Sequence, residues 1–272
     1  MFPIIFQVGP ITIYSFGVLM AVGFYFGSTV AVKEYGRRGG DGEALWSLLV
    51  WVFLGGLASS RILSIFNNPS AFFEAPITEI LAGSGFVWYG GFLGGALTAW
   101  LLGRSRGMDF VTLADCTAPG LALGQAFGRI GCHVAGDGDW GSPTTLPWGV
   151  SYANGIAPWE HPAGIVVHPT PLYEAAAYAL VFAFIWKWRH RNPPLGSLFA
   201  AYLIGNGTFR FLVEFIRVEP RFAFGLSQAQ FIGAGMTVVG IVWLWKLRGA
   251  PPAPRVIGRA AATSPLATRS AA

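Results

Sequence analysis

The chain has 272 residues, of which 53% are hydrophobic and only 11% charged, whereas a soluble domain carries roughly 25% charged residues. That composition excludes an ordinary water-soluble globule and points to an integral membrane protein. The net charge of +5 would suit a nucleic-acid binder, but the placement of the basic residues assigns it elsewhere.

A membrane-crossing helix needs about 20 apolar residues. Seven stretches qualify: 12–32, 44–66, 86–103, 110–135, 171–188, 197–215 and 227–247. The predicted fold is therefore an all-α bundle over 1–248 with seven transmembrane helices. Before the first stretch, the N-terminus lacks a basic region, so no cleavable signal peptide is expected. The third stretch contains GGFLGG (90–95), a pattern expected to pack helices closely through small residues. The fourth holds Asp115, Pro119, Gln125 and Arg129, so a kink and an inward-facing polar side are expected. Cys116 and Cys132 on one helix would lie about 24 Å apart at 1.5 Å per residue, too far to bridge. The 136–170 segment reads as a long external loop with Trp140, Trp148 and Trp159 as headgroup-level anchors. The 249–272 tail, rich in Pro, Ala, Ser and Arg, reads as disordered and cytoplasmic.

Basic loops stay in the cytoplasm. Lys33, Arg37, Arg38, Arg104, Arg106, Lys187, Arg189, Arg191 and the basic residues from Lys246 onward all fall on one side of the alternation, 13 of the 18 Lys and Arg. This places the N-terminus outside and the C-terminus inside. It also accounts for the basic charge without nucleic acid.

Arg61, Arg129 and Arg210 lie inside apolar stretches. A guanidinium in hydrocarbon costs about 2.5–3.5 kcal/mol on insertion scales, and it does not escape by deprotonating. It needs an anionic partner or ligand. The predicted topology sets Arg129, Arg210, Glu214 and Arg217 toward the external side, with Tyr14, Tyr89, Tyr173 and Glu174 near the outer starts of their helices. Arg210, Glu214 and Arg217 are spaced i, i+4 and i+7, and Gln125, Arg129 and His133 form an i, i+4, i+8 stripe. Arg210 and Glu214 also fit a plain structural ion pair, and Arg61 a helix end that snorkels outward. Arg129 has no acid within four residues. Two arginines bind a phosphate through paired hydrogen bonds, and at this depth the available phosphates belong to phospholipids.

The segment GRIGCHVAGDGDWG (128–141) resembles the signature of the bacterial phosphatidylglycerol–prolipoprotein diacylglyceryl transferases, a Gly-Arg-x-Gly-Asn run followed by a Gly-acid-x-x-Gly segment. TFRFLVEFIR (208–217) is similar to the family's Arg-Phe-x-x-Glu-Phe-x-Arg segment, HPTPLYE (168–174) to its His-Pro-x-x-Leu-Tyr-Glu, and DCTAPGLALGQAFGR (115–129) to its Asp-x-x-Ala-Pro run. The resemblance implies a seven-span enzyme of the cytoplasmic membrane, its active site toward the outer leaflet. Such an enzyme moves a diacylglyceryl group from phosphatidylglycerol to the lipobox cysteine of a prolipoprotein, forming a thioether and releasing glycerol phosphate. The alternatives are a phospholipid-binding or transport protein without this chemistry, or a transferase with another acceptor.

The departures from the family pattern are local. Cys132 stands where Asn is usual, His133 where Phe is, and Ala135 where a second Asn is. The acid is Asp137 or Asp139 because one extra residue precedes Trp140. Tyr89 stands where many members have His, and Phe16 where a Tyr is common. By the resemblance, Arg129, Arg210, Glu214 and Tyr89 are the catalytic set, and Arg61, Cys132, His133, Gly136, Asp137, Asp139, Gly141 and Arg217 bind substrate. Arg129 and Arg210 would neutralise the phosphate as it leaves, with Glu214 orienting Arg210. The base stays open among Tyr89, His133, Asp137 and Asp139. No cofactor or metal is expected.

Overall fold

The computed structural model describes residues 1–8, 11–74, 76–81 and 87–256. Most of the tail expected to be disordered (257–272), and Phe86 at the expected start of the third stretch, lie outside the described residues. Two short antiparallel hairpins accompany the helices. One pairs β1 (Ile4–Val8) with β2 (Ile11–Tyr14), and the other pairs β3 (Arg221–Ala223) with β4 (Leu226–Ser227). The helices are α1 (Ser15–Arg37), α2 (Gly42–Asn67), α3 (Pro69–Glu74), α4 (Pro76–Leu81), α5 (Trp88–Ser105), α6 (Phe110–Ala135), α7 (Thr170–Trp188), α8 (Ser197–Val213) and α9 (Gln228–Lys246).

Each of the seven apolar stretches is helical, with two informative differences. The first helix starts at Ser15, because Ile11–Tyr14 is three β-branched residues and a tyrosine, all strand formers, and pairs with β1. The sixth ends at Val213, so Glu214 forms its cap and Arg217 lies beyond it. The purely helical expectation is thus corrected by the two hairpins. By length and composition α1, α2 and α9 suffice to cross a membrane, and α8 is a shorter apolar helix.

The described residues divide into two compact units, one within 1–31 and 115–253 and the other within 32–114 and 254–256. In the second unit, α2 is capped by Asp41, whose carboxylate accepts from the Glu43 and Ala44 amides, filling orphan helix donors. The expected small-residue packing is present between α2 and α5. A Cβ on Gly90 would sit 2.7 Å from the Ser59 carbonyl, and one on Gly94 would collide with the Ser59 side chain. Ser60 Oγ donates to the Val87 carbonyl at 2.8 Å. Glu34 is fully buried and binds both Arg37 and Arg38 at 2.8 Å.

In the first unit, α1 and α6 cross at reciprocal glycine pairs. A Cβ on Gly27 would lie 2.6 Å from the Gly120 carbonyl, and one on Gly23 would meet Phe127 at 2.8 Å. α6 runs unbroken through Pro119. Asp115 of α6 accepts from the Phe199 amide at 2.9 Å, capping the first turn of α8. Ala118 and Ala122 of α6 pack with Val181 and Ile185 of α7 and Leu198, Ala201 and Tyr202 of α8. α9 starts with a capping box between Ser227 and Gln230. Backbone approach recurs there, since a Cβ on Gly233 would lie 2.7 Å from the Gly207 carbonyl.

Candidate active site

The site is an ionic cluster assembled entirely from the first unit. Its hub is Glu174, in the second turn of α7 and 1% exposed. Pro171 stiffens the first turn of that helix, where the missing N–H costs nothing. Three guanidiniums converge on the Glu174 carboxylate. Arg210 Nη1 on α8 lies 3.0 Å from Oε1, Arg129 Nε on α6 lies 3.3 Å from Oε2, and Arg217 Nη1 lies 3.6 Å from Oε2. Glu214, also 1% exposed, takes Arg210 Nη2 at 3.0 Å and Arg217 Nε at 3.6 Å. Asp139 pairs with Arg129 Nη1 and, at 2.6 Å, with Arg217 Nη2. Glu219 closes the outer edge on Arg217 at 2.8 Å.

Arg129 therefore has distant acidic partners, Asp139 and Glu174, which its own helix does not supply. Glu214 orients Arg210 as the spacing suggests. Arg217, in contrast, is not on the helical face drawn from i, i+3 spacing. It sits past the end of α8, where residue 217 forms a backbone bridge with Gly141, and that tertiary pairing displaces the helix.

The three arginines are not equivalent. The Arg217 side chain is 3% exposed, whereas those of Arg129 and Arg210 are 23% and 22% exposed. Arg217 is sealed among carboxylates. Arg129 and Arg210 stand side by side on the two oxygens of one buried carboxylate and still face outward. Fixed cationic donors of this kind, held by protein rather than by water, stabilise a developing anion without reorganising.

The loop from Gly136 to Pro169 supplies Asp139 and is ordered by backbone bonds. Gly141 N–H donates to the His168 carbonyl at 2.9 Å and Ser142 N–H to the Ile216 carbonyl at 2.8 Å. Thr170 Oγ1 donates to the Asp139 carbonyl. The two glycines in the predicted binding set act through space. Gly136 has φ +63°, where a side chain is strained, and a Cβ there would lie 2.7 Å from Gly155 Cα. A Cβ on Gly141 would lie 2.7 Å from the Ile216 carbonyl. They hold the loop against the cluster.

The extra acid before Trp140 divides the work. Asp139 takes the arginines. Burial alone would raise its pKa, but Arg129 and Arg217 override that and hold the carboxyl down at about 2. Asp137 has no guanidinium partner among the described residues. Its carboxyl is raised above the usual carboxylate range, first by the protein that surrounds it and then by the charge of Asp139. Cys132 is buried, with Arg129 Nη1 3.9 Å from its Sγ. Potential metal-ligand atoms of Cys132, Asp137 and Asp139 lie within 4.8 Å of one another, but Asp139 is already neutralised by two arginines.

His133 turns away from the arginines. Its Nδ1 meets the Tyr152 hydroxyl at 2.8 Å, beneath a cluster in which Trp140 stacks on Tyr152 and Trp159 packs edge-on against Trp140. Burial and the nearby Asp137 push the Tyr152 phenol up. His168 similarly faces the Tyr173 hydroxyl at 3.3 Å, which also accepts from Trp148 Nε1 at 2.7 Å. Arg61 and Tyr89 belong to the second unit. There Arg61 is buried on α2 and Tyr89 is 46% exposed near the start of α5.

Glu174 is the residue whose role the sequence reading passed over, although the Leu-Tyr-Glu motif contains it. The family model described as prolipoprotein diacylglyceryl transferase matches residues 3–246. The chain belongs to that family. Relatives named phosphatidylglycerol–prolipoprotein diacylglyceryl transferase include one from Clostridium tetani, 33% identical over 88% of this chain and 95% of the relative. Another, from Aromatoleum aromaticum, is 34% identical over 92% and 96%, and one from Vibrio cholerae is 33% identical over 90% and 92%. This family member is an enzyme of a membrane-protein family, and its ionic cluster is built from the segments that resemble the family motifs.

Proposed function

We propose that this family member transfers a diacylglyceryl group from phosphatidylglycerol to the lipobox cysteine thiol of prolipoproteins. The product is a thioether, and glycerol phosphate is released. The observation that carries the proposal is the pair of outward-facing guanidiniums, Arg129 and Arg210, gripped by one buried Glu174 carboxylate.

The chemistry follows from that pair. A phosphodiester carries one negative charge, and its phosphorus-bound oxygen gains a second as the glycerol carbon–oxygen bond breaks. Arg129 and Arg210 neutralise that second charge. Glu214 and Glu174 fix the Arg210 fork from two sides, and Asp139 and Glu174 do the same for Arg129. The cluster carries no surplus of positive charge, since its three cations face Glu174, Glu214, Asp139 and the more exposed Glu219. It therefore binds a phosphate through directed N–H donors more than through surplus charge. Arg217 is a positioning residue that ties the loop to α7 and α8.

The topology proposed with this reading has seven crossings, an external N-terminus and a cytoplasmic C-terminus. It places the cluster toward the outer leaflet of the bacterial cytoplasmic membrane, where both substrates are found.

The test is phosphatidylglycerol-dependent mass gain on a lipobox peptide, using the protein in membranes. A peptide with its Cys changed to Ser is expected to gain nothing. Lipid capture without mass gain would favour the second reading, a phospholipid-binding protein.

A further inference from the structure

The transfer needs a group to take the proton of the incoming thiol, and the described acids of the first unit's cluster differ in their freedom to do so. Glu174 is held by three guanidiniums, Glu214 and Asp139 by two each, and Glu219 by Arg217. A carboxylate so paired has its oxygens turned to guanidiniums and is not presented to an incoming thiol. His133 is engaged by Tyr152 and His168 by Tyr173. Asp137 alone among these acids is exposed and makes no ion pair with an arginine, and its side chain hydrogen-bonds that of Cys132. Its neighbours are Cys132 and Arg129 on α6, Asp139 on its own loop, whose amide bonds Asp137 Oδ1 at 3.3 Å, and Tyr152. It lies within 4.8 Å of an oxygen of Asp139, which itself contacts Arg129. The base therefore stands one carboxylate away from the proposed phosphate site.

We infer that Asp137 is a catalytic residue, the proton acceptor for the substrate thiol. The inference rests on the transferase reading above. The sulfur–hydrogen bond breaks, and its proton moves to the Asp137 carboxylate. The sulfur electron pair forms the bond to the lipid glycerol carbon. The carbon–oxygen bond to phosphate breaks, and its electron pair leaves with glycerol phosphate, which departs as a monoester dianion between Arg129 and Arg210. Asp137 then returns its proton to water. The positions of Asp137 and Asp139 make the extra residue before Trp140 intelligible. One acid holds the arginines, and the other, with no ion pair to an arginine, is the one to accept a proton.

The experiment compares Asp137→Asn, Asp137→Glu and Asp137→Ala with the parent protein in phosphatidylglycerol membranes, reading kcat and KM for a lipobox peptide from pH 6 to 9.5. General-base catalysis contributes typically about 10²–10⁴-fold, so Asp137→Asn is expected to lower kcat within that range with KM for peptide unchanged. The deficit should shrink above pH about 8.5, where the thiol ionises unaided. Asp137→Glu should recover much of the rate, and added formate or azide should rescue Asp137→Ala. Full activity of Asp137→Asn overturns the inference. So does a deficit that is the same at every pH and is not rescued, since that marks a structural role. If Asp137→Asn does not fold, the Asp137→Ala rescue decides alone. Absence of any lipid-dependent mass gain by the parent protein is a different result and overturns the transferase reading itself.

Discussion

The α2–α5 pair and the Glu174 cluster solve opposite problems within an apolar protein. Between α2 and α5, glycines at 90, 91, 94 and 95 bring backbone against Ser59, Ser60 and Gly56, and close packing with few polar groups holds the contact. Around Glu174, three guanidiniums and three carboxylates hold α6, α7, the loop and the end of α8. The first contact depends on the absence of side chains and tolerates no added volume. The second depends on opposite charges held together, and deleting one leaves a buried charge uncompensated. Stability in one is a matter of shape, and in the other of charge balance.

Removing the hub should show this most strongly. Breaking a buried ion pair by deleting one partner costs about 3–5 kcal/mol, and Glu174→Ala leaves three guanidiniums short of an anion. Thermal unfolding in detergent should show a loss of that order. Arg129→Lys keeps the charge but removes the fork. It is expected to lower transfer by about 10²–10³-fold, the scale for losing one transition-state donor, with little change in unfolding temperature. Equal loss of rate and stability would mean that the cluster only holds helices.

On the other side of the comparison, Gly94→Val should destabilise the α2–α5 contact by about 1–3 kcal/mol, the usual cost of overpacking. Its effect should not depend on pH. The Asp139 ion pairs should depend on it. The carboxyl titrates at about 2 in the fold against 3.8 unfolded, so its stabilisation is present above pH about 4 and is lost as pH falls through about 2. Unfolding measured at pH 5 and pH 3 should show a drop in the parent protein that Asp139→Asn lacks. The smallest change is Thr170→Val, which removes a single hydrogen bond to the Asp139 carbonyl and should cost about 0.5–1.5 kcal/mol.

What the sequence reveals follows the same divide. The helices are legible because hydropathy and the glycine spacing of 90–95 are local properties. Arg210 and Glu214 are legible as a pair because i, i+4 spacing is local too. Glu174 is not legible as a hub, since no periodicity links positions 129, 174 and 210. The i, i+3 pairing of Glu214 with Arg217 forms at 3.6 Å, but not on a helical face, because residue 217 takes a backbone partner at 141, 76 positions earlier in the chain. The separate fates of Asp137 and Asp139 depend on where the loop folds, which two adjacent acids in a Gly-rich run do not disclose.

The shared Glu174 carboxylate also constrains how the protein is made. Ribosomes deliver α6 before α7, and α7 before α8. In the proposed topology the Arg129 helix enters the membrane with Asp139, ten residues on, close behind it, and before the Glu174 helix. A lone guanidinium is a poor passenger in lipid, so Asp139 pairs Arg129 first and Glu174 completes the pairing when α7 follows. Biogenesis of this protein is therefore a rendezvous of late and early segments, and truncation before residue 174 should strand α6 as a substrate for membrane proteases.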